Sequence, residues 1–219
     1  MLQTIIEYHK NQWLNSDECT IRPIIDYIKN KGQLREAQYE AIETYLFLKI
    51  KGQNKPLWEL FSEGFFSNGD DLSKLNINQT AREIFDKNKA AKSLLDFSRF
   101  KVKNGNGTET LLPDLEKYII NNSDKIDYEN IIRRIFYGID YSDYLFSLPM
   151  GAGKTYLMAA FIYIDLYFAY NEPENKTFAH NFLVLIPSGL KSSIVPSLRT
   201  IENFDPTWVI PDPAASELK

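Results

Sequence analysis

The sequence predicts an α/β fold with a parallel-sheet core, present in part, together with helices that precede and interrupt this core. Three observations lead to this prediction. A short apolar run at 144–148 ends at Pro149 and precedes a glycine-rich turn, the turn leads into an almost wholly apolar stretch at 156–170, and a second aliphatic run follows at 182–186. A strand, a tight turn, a buried helix and a second strand in this order are typical of an α/β core.

The turn at 150–155, Met-Gly-Ala-Gly-Lys-Thr, has the residue types that hold phosphate. Gly151 and Gly153 can adopt positive φ and place no side chain in the path of a ligand. Backbone N–H groups in such a turn form an anion-binding concavity, and the following helix directs its unpaired N–H groups to the same place. Lys154 supplies a charge for the β- and γ-phosphates, and the Thr155 hydroxyl is suited to bind Mg²⁺.

The strict form of this motif, G-x-x-x-x-G-K-[ST], requires a glycine at position 148, where this chain has Leu148. The alternative is therefore a Gly-Lys-Thr turn without function. The strand predicted before the turn and the helix predicted after it favour phosphate binding, because this context is what supports the motif.

Composition indicates an ordinary globular protein, with 219 residues of which 44% are hydrophobic and 25% charged. A single cysteine, Cys19, excludes an intrachain disulfide framework and indicates a reducing compartment. No apolar segment of signal-peptide length occurs at the N-terminus, and 156–170 is too short to span a bilayer and contains Asp165. We expect a cytoplasmic protein without a membrane partner. A net charge of −4 neither suggests nor excludes nucleic acid as a partner.

The first predicted region, 1–51, consists of helices at 1–13, 21–30 and 34–50. In the third helix the residues at helical spacing are apolar except for Gln38. An unpaired buried amide costs about 1–3 kcal/mol, and a glutamine can pair bidentately with adenine. The alternative is a glutamine at the edge of the apolar face that reaches water.

The second predicted region, 52–140, is a helical insertion. Three features mark the starts of its helices: a capping box that begins at Thr80, a proline at Pro113 and an N-cap at Asp127. Its most basic stretch has Phe97 and Phe100 interleaved. This pattern is either a contact surface for nucleic-acid phosphates or the solvated face of a helix and its exit loop. The basic residues are Lys87, Lys89, Lys92, Arg99, Lys101 and Lys103.

The third predicted region, 141–219, contains the glycine-rich turn, the strand at 182–186 and a third strand at 208–210. The loop after the second strand has hydroxyl and ammonium donors suited to hold a nucleic-acid backbone: Ser188, Lys191 and Ser192. The alternative is an ordinary strand-to-helix loop with a serine cap.

Three segments resemble superfamily 2 helicases of the DEAD/DEAH-like kind, including the restriction subunits of type III restriction enzymes. Residues 34–42, Leu-Arg-Glu-Ala-Gln-Tyr-Glu-Ala-Ile, resemble the segment L-R-x-x-Q-x-x-A-I. The glycine-rich turn resembles the shorter phosphate loop x-x-G-x-G-K-T of these helicases, in which the first glycine is commonly replaced. Residues 182–193 resemble motif Ia, which holds one nucleic-acid strand.

The resemblance implies a RecA-like phosphate-loop core, with ATP and Mg²⁺ as cofactors and ATP hydrolysis coupled to movement along DNA in a restriction or other genome-defence system. DNA and a modification or specificity subunit are the implied partners. Gln38 would read adenine, Tyr27 is a candidate to stack on the base, Lys154 would be catalytic and Thr155 would bind the metal. The implied nucleotide contacts are Gln38, Met150, Gly151, Ala152, Gly153, Lys154 and Thr155, and the implied DNA contacts are Ser188, Lys191 and Ser192.

Two departures from the helicase pattern matter. Gln38 and Lys154 lie 154 − 38 = 116 positions apart, where compact members have a few tens. The Asp-Glu box that would hold Mg²⁺, which the helicases have downstream of motif Ia, does not occur after residue 193 in this sequence. We therefore expect the N-terminal piece of a longer helicase or translocase, which binds ATP weakly and does not hydrolyse it. Another phosphate-loop NTPase or kinase, or a protein-interaction module, are the alternatives.

Overall fold

The computed structural model describes residues 2–67, 72–104, 107–110, 112–185 and 191–218, and gives the backbone alone at 102–104, 107–110 and 191–193. The chain divides into two compact units. The insertion unit comprises Met1–Asn11 and Asn54–Asp143, and the loop unit comprises Gln12–Gln53 and Tyr144–Lys219.

Helices dominate the described part of the chain. In chain order they are α1 (Leu2–Leu14), α2 (Arg22–Lys31), α3 (Glu36–Leu46) continued by a π-helix (Phe47–Lys51), α4 (Leu57–Ser62), α5 (Gln79–Lys87), α6 (Lys89–Arg99), α7 (Pro113–Asn121), α8 (Tyr128–Ile135), α9 (Lys154–Asn171), α10 (Lys191–Glu202) and α11 (Ala214–Glu217). Short 3₁₀ turns lie at Leu72–Lys74 and Pro206–Trp208.

The insertion unit is built around α6, against which α4, α5, α7 and α8 pack. Leu94 and Leu95 of α6 are fully buried. Pro113 begins α7 and the Asp127 side chain caps α8, which confirms both predicted helix starts. The start predicted at Thr80 is two residues late, because the side chain of Asn78 accepts a hydrogen bond from Ala81 N–H at 2.7 Å.

The predicted parallel-sheet core is wrong for the described residues. Their strands are β1 (Lys101–Asn104) and β2 (Gly107–Thr110), which form one antiparallel pair in the insertion unit. No described residue of the loop unit belongs to a strand. The RecA-like α/β assignment is therefore replaced by a mainly helical architecture.

The described residues of the first two segments predicted as parallel strands, 144–148 and 182–185, belong to neither a helix nor a strand. At 144–149 the side chains alternate between half-buried and exposed, as in a strand, yet Leu145 is 93% exposed. In the described part of the second segment, which ends at residue 185, Leu183 and Leu185 are also exposed. Strands of a parallel sheet are covered on both faces, so these exposures are incompatible with a sheet interior.

The third predicted strand, 208–210, is not formed, because Trp208 ends the 3₁₀ turn Pro206–Trp208 and Val209 is the residue that follows this turn. The side chain of Asp205 accepts a hydrogen bond from Thr207 N–H at 3.2 Å, and Pro206 begins the turn. Both features favour helical over extended backbone. Val209 and Ile210 are buried by this turn, so their apolar character serves the core of the unit.

The core of the loop unit is α9, which is apolar on all sides, as the sequence predicts. Leu157, Ile164 and Phe168 are buried on this helix, and α3 and α10 pack against it. No helix among the described residues is both long and apolar enough to cross a membrane.

His9 of α1 is the half-buried histidine of the insertion unit. Its ring lies edge-on to Tyr8 and Phe66, with centroids 5.1 and 5.6 Å away. Its Nε2 is buried and has no hydrogen-bond partner among the described residues. Burial lowers the pKa of His9 below its ordinary value.

Because the folded pKa of His9 lies below the unfolded one, we expect stability to fall as pH decreases below about 6.5. The slope from this group approaches about 1.4 kcal/mol per pH unit. Urea unfolding between pH 7.5 and pH 5 should show a smaller loss in His9→Gln than in the parent chain. His180→Gln, at the chain's other and exposed histidine, is the control and should retain the full loss. Equal slopes in all three proteins would contradict the prediction.

Candidate functional site

The glycine-rich turn forms a loop directly before α9. The N–H of Ala152 donates to the carbonyl of Pro149 at 3.2 Å, which closes the turn. Gly151 and Gly153 have φ values of 78° and 79°, a region that residues with a Cβ enter at a cost. The positive φ predicted for both glycines is therefore confirmed.

Helix α9 begins immediately after the loop without a side-chain cap from the described residues. Gly153 is the N-cap residue, and its carbonyl accepts the first helical hydrogen bond, from Leu157 N–H at 3.1 Å. The first N–H groups of a helix have no acceptor within it and carry the positive end of the helix dipole. An 18-residue helix thus presents its N-terminus at this loop.

The predicted nucleotide contacts of the loop differ in accessibility. Met150, Gly151 and Lys154 are exposed, Gly153 and Thr155 are half-buried, and Ala152 is buried. The Lys154 side chain is therefore accessible from solvent. Among the described residues no group of three or more His, Cys, Asp or Glu could hold a metal ion. The magnesium role of Thr155 stays a prediction, in which phosphate oxygens and water would supply other ligands.

Gln38 is buried and contacts the glycine-rich loop. It is 4% exposed, its Nε2 donates to the carbonyl of Gly153 at 2.8 Å, and its Oε1 accepts from the backbone N–H of Arg35 at 2.9 Å. The alternative that this amide reaches water is therefore wrong. Adenine reading stays a prediction.

Arg35 is a site residue that the sequence analysis missed. Its guanidinium donates through Nη1 to the carbonyl of Gly151, while the side chain as a whole stays exposed. Two side chains from the start of α3, Arg35 and Gln38, thus hold two carbonyls of the loop. The sequence feature that could have indicated this role is the position of Arg35, three residues before Gln38 in the helicase-like segment 34–42.

Helices α3 and α9 run parallel, with both N-termini at the loop. Gln38 in the first turn of α3 contacts Gly153 just before α9. Further along, the Tyr45 hydroxyl and the Lys49 ammonium bind the carboxylate of Asp165, in the middle of α9. Because contacts along the two helices occur in the same order, their partial positive ends converge on the same loop.

Asp165, Tyr45 and Lys49 form a buried polar cluster that the sequence analysis did not assign. Burial beside the Asp165 carboxylate raises the pKa of Tyr45, so this hydroxyl stays protonated and donates. The signal in the sequence was a lone carboxylate in an otherwise apolar helix.

Tyr27 lies close to the 3₁₀ turn of the loop unit. Its hydroxyl donates to the carbonyl of Thr207 at 2.6 Å, and the Lys31 ammonium lies 5.9 Å from its ring centroid. The next residue of the turn, Trp208, stacks on Tyr156 of α9, with centroids 5.5 Å apart and planes inclined by 8°. Trp208 therefore contacts the residue that follows Thr155.

The predicted nucleic-acid contacts gain no support. Ser188 lies outside the described residues, and Lys191 and Ser192 begin α10 with only their backbone described. In the basic stretch of the insertion, Phe97 and Phe100 are buried in the core, and Arg99 pairs with Glu116 at 3.1 Å. These two rings are therefore not available to stack on bases, and the interpretation of the stretch as a solvated helix face is favoured.

Alanine substitutions at Gly151 and Gly153 separate two contributions to stability, the backbone strain of the loop and the contact of Gln38 with Gly153. A Cβ at Gly153 would lie 2.7 Å from Gln38 Nε2, whereas a Cβ at Gly151 would meet nothing within 4 Å. Both positions have positive φ, so each substitution costs about 1–2 kcal/mol in backbone strain. We expect Gly153→Ala to destabilise the chain by about 1–3 kcal/mol more than Gly151→Ala, because it also displaces a buried amide. Urea unfolding of both variants measures the difference, and equal losses would contradict the described contact.

Comparison with known proteins gives no match: no family model, no curated protein and no solved structure is similar enough to assign the chain to a family.

Proposed function

We propose that the loop at 150–155 binds the phosphate tail of ATP, with Mg²⁺ as the accompanying ion. The observation that carries this proposal is the N-terminus of α9, which no described side chain caps, behind two glycines with positive φ. Backbone N–H groups and a helix dipole attract anions at such a place. Arg35 and Gln38 donate hydrogen bonds to two carbonyls of the loop. Because these carbonyls already have partners, the backbone N–H groups of the loop are the groups that a ligand would bind.

The wider proposal is that this chain is the ATP-binding portion of an ATP-dependent DNA helicase or translocase of a restriction or genome-defence system. This part rests on the resemblance of the three sequence segments. The contact between Gln38 and the loop supports it, because it joins two of those segments across 115 residues of sequence. DNA as a partner remains within this proposal.

Ligand titration tests phosphate binding. The Trp208 stack on Tyr156 lies beside the loop, so tryptophan fluorescence can report binding and isothermal titration calorimetry can confirm it. We expect saturable binding of Mg²⁺-ATP, competition by inorganic tripolyphosphate, and weaker competition by adenosine than by tripolyphosphate, because the phosphates supply most of the contacts. No binding at millimolar ATP would overturn the proposal. Competition by adenosine but not by tripolyphosphate would point to a base-binding site instead.

A second titration addresses DNA. A chain that contacts a nucleic-acid backbone should bind a short duplex or a single strand with an affinity that falls steeply as salt rises. Binding of neither form at low salt, with ATP binding intact, would favour the alternative of another phosphate-loop NTPase or kinase.

A further inference from the structure

The middle of α9 contains a carboxylate that is fully enclosed. Asp165 is 1% exposed. Its Oδ1 accepts from the Tyr45 hydroxyl at 2.8 Å, and its Oδ2 accepts from the backbone N–H of Ala179 at 3.1 Å. The same Oδ2 forms an ion pair with the Lys49 ammonium. Both carboxylate oxygens therefore have directional partners.

The cation of this pair is equally enclosed. Lys49 is 5% exposed, and its ammonium lies 5.0 Å from the ring centroid of Tyr45 and 5.2 Å from that of Phe178. Phe178 in turn stacks on Phe168 of α9, with centroids 4.6 Å apart. Aromatic faces attract a cation, so the ammonium is held both by its carboxylate and by two rings.

Such a cluster constrains the position of α9 more strictly than apolar packing does. Hydrogen bonds and ion pairs depend steeply on distance and angle, whereas apolar contacts are non-directional. Asp165 lies eleven residues after Lys154 in the same helix, a separation of about 17 Å at 1.5 Å per residue. Because a helix moves as one body, a shift or rotation of α9 at Asp165 would also displace the N-terminus of α9 and the loop that precedes it.

The N-terminal end of α9 has little room for such a shift. Gln38 Nε2 donates a hydrogen bond to the Gly153 carbonyl. The same nitrogen packs so closely on Gly153 that an added Cβ would lie only 2.7 Å from it. Since α3 carries Gln38 and Tyr45 and is continued by the π-helix with Lys49, one continuous helical segment contacts α9 at both places.

We infer that the buried cluster of Tyr45, Lys49 and Asp165 positions the phosphate loop, by fixing α9 against the helical segment of α3. The three side chains are positioning residues, since their described hydrogen bonds and ion pairs are with one another and with Ala179 rather than with residues 150–155. The inference rests on the proposed function for its consequence in ligand affinity, but the geometry of the loop can be measured without any ligand.

The chain offers a specific probe of that geometry. Met150-Gly151 is its one Met-Gly pair and Ala152-Gly153 its one Ala-Gly pair. Carbonyl-¹³C methionine with ¹⁵N-glycine therefore isolates the Gly151 amide in NMR spectra, and carbonyl-¹³C alanine with ¹⁵N-glycine isolates that of Gly153.

The variants are Tyr45→Phe, Asp165→Asn and the double variant Lys49→Met with Asp165→Leu. Replacing a buried ion pair by apolar residues often preserves stability, so the double variant removes both charges together. It also takes away the acceptor of the Tyr45 hydroxyl and of the Ala179 N–H. Ile164→Ala is the control, because Ile164 is a buried neighbour on α9 outside the cluster. It should cost stability through a cavity without removing a polar contact.

We expect both glycine amide resonances to shift or broaden in the cluster variants and to stay near their parent positions in Ile164→Ala. Mg²⁺-ATP affinity, measured where each variant is folded, should fall about tenfold in the double variant, which corresponds to about 1.4 kcal/mol. Parent-like resonances in Tyr45→Phe and in the double variant would overturn the inference. So would shifts that are equally large in Ile164→Ala. If the parent chain does not bind ATP, the proposed function fails, while shifted glycine resonances would still support the positioning role.

Discussion

Replacement of Lys49 by methionine is expected to lower the free energy of unfolding by about 3–5 kcal/mol. The methionine keeps most of the apolar stem but removes the ammonium that neutralises Asp165. That carboxylate is 1% exposed in the middle of α9 and cannot recover hydration without opening the helix pair. A buried charge whose partner is removed is among the most destabilising changes known in protein cores.

Lys51→Met is the matched control for this prediction. Lys51 lies two residues further along the same π-helix, and its partner is the exposed Glu18. Exposed ion pairs contribute about 0–1 kcal/mol, so the control should remain close to the parent chain. Urea unfolding followed by circular dichroism measures both variants. A loss in Lys49→Met no greater than that in Lys51→Met would contradict the description of the cluster.

Replacement of Lys154 by alanine is expected to weaken Mg²⁺-ATP binding by about 10- to 150-fold. This range corresponds to the roughly 1.5–3 kcal/mol of a hydrogen bond to a charged group. Lys154 is exposed in the first turn of α9, so its removal leaves the core intact and stability nearly unchanged. Calorimetric titration of the folded variant measures the effect.

Lys176→Ala is the control for this second prediction. Lys176 is an exposed lysine of the loop unit that follows α9, and its removal changes the net charge by the same amount. Equal losses of affinity in the two variants would indicate general electrostatic attraction rather than a contact at the loop. Unchanged affinity in Lys154→Ala would contradict the proposed site.

Local features of the sequence predicted local features of the structure. The apolar stretch after Thr155 is a buried helix, and Pro113 and Asp127 begin helices where a proline and a capping side chain are expected. These outcomes depend on neighbouring residues in the chain, through hydrogen bonds of capping groups and the fixed φ of proline.

The predicted sheet failed because a strand requires a partner that its own residues do not specify. The segment 144–149 has the alternation of a strand, but its backbone has no strand neighbour among the described residues. The apolar run 208–210 suggested a strand, but the Asp205 cap and Pro206 start a 3₁₀ turn that includes Trp208.

The site was predicted only in part for a related reason. Arg35 and Asp165 gain their roles from partners that are 116 and 120 residues away.

That separation also bears on how the loop acquires its shape. Every contact described between α3, with its π-helix, and α9 or its loop joins residues 115 to 120 positions apart. Closing a chain of this length costs about 2 kcal/mol more in entropy than closing one of ten residues. Contacts of such high sequence separation form late in folding. A refolding chain should therefore gain helix content first, and become competent to hold a phosphate only when its two distant halves have met.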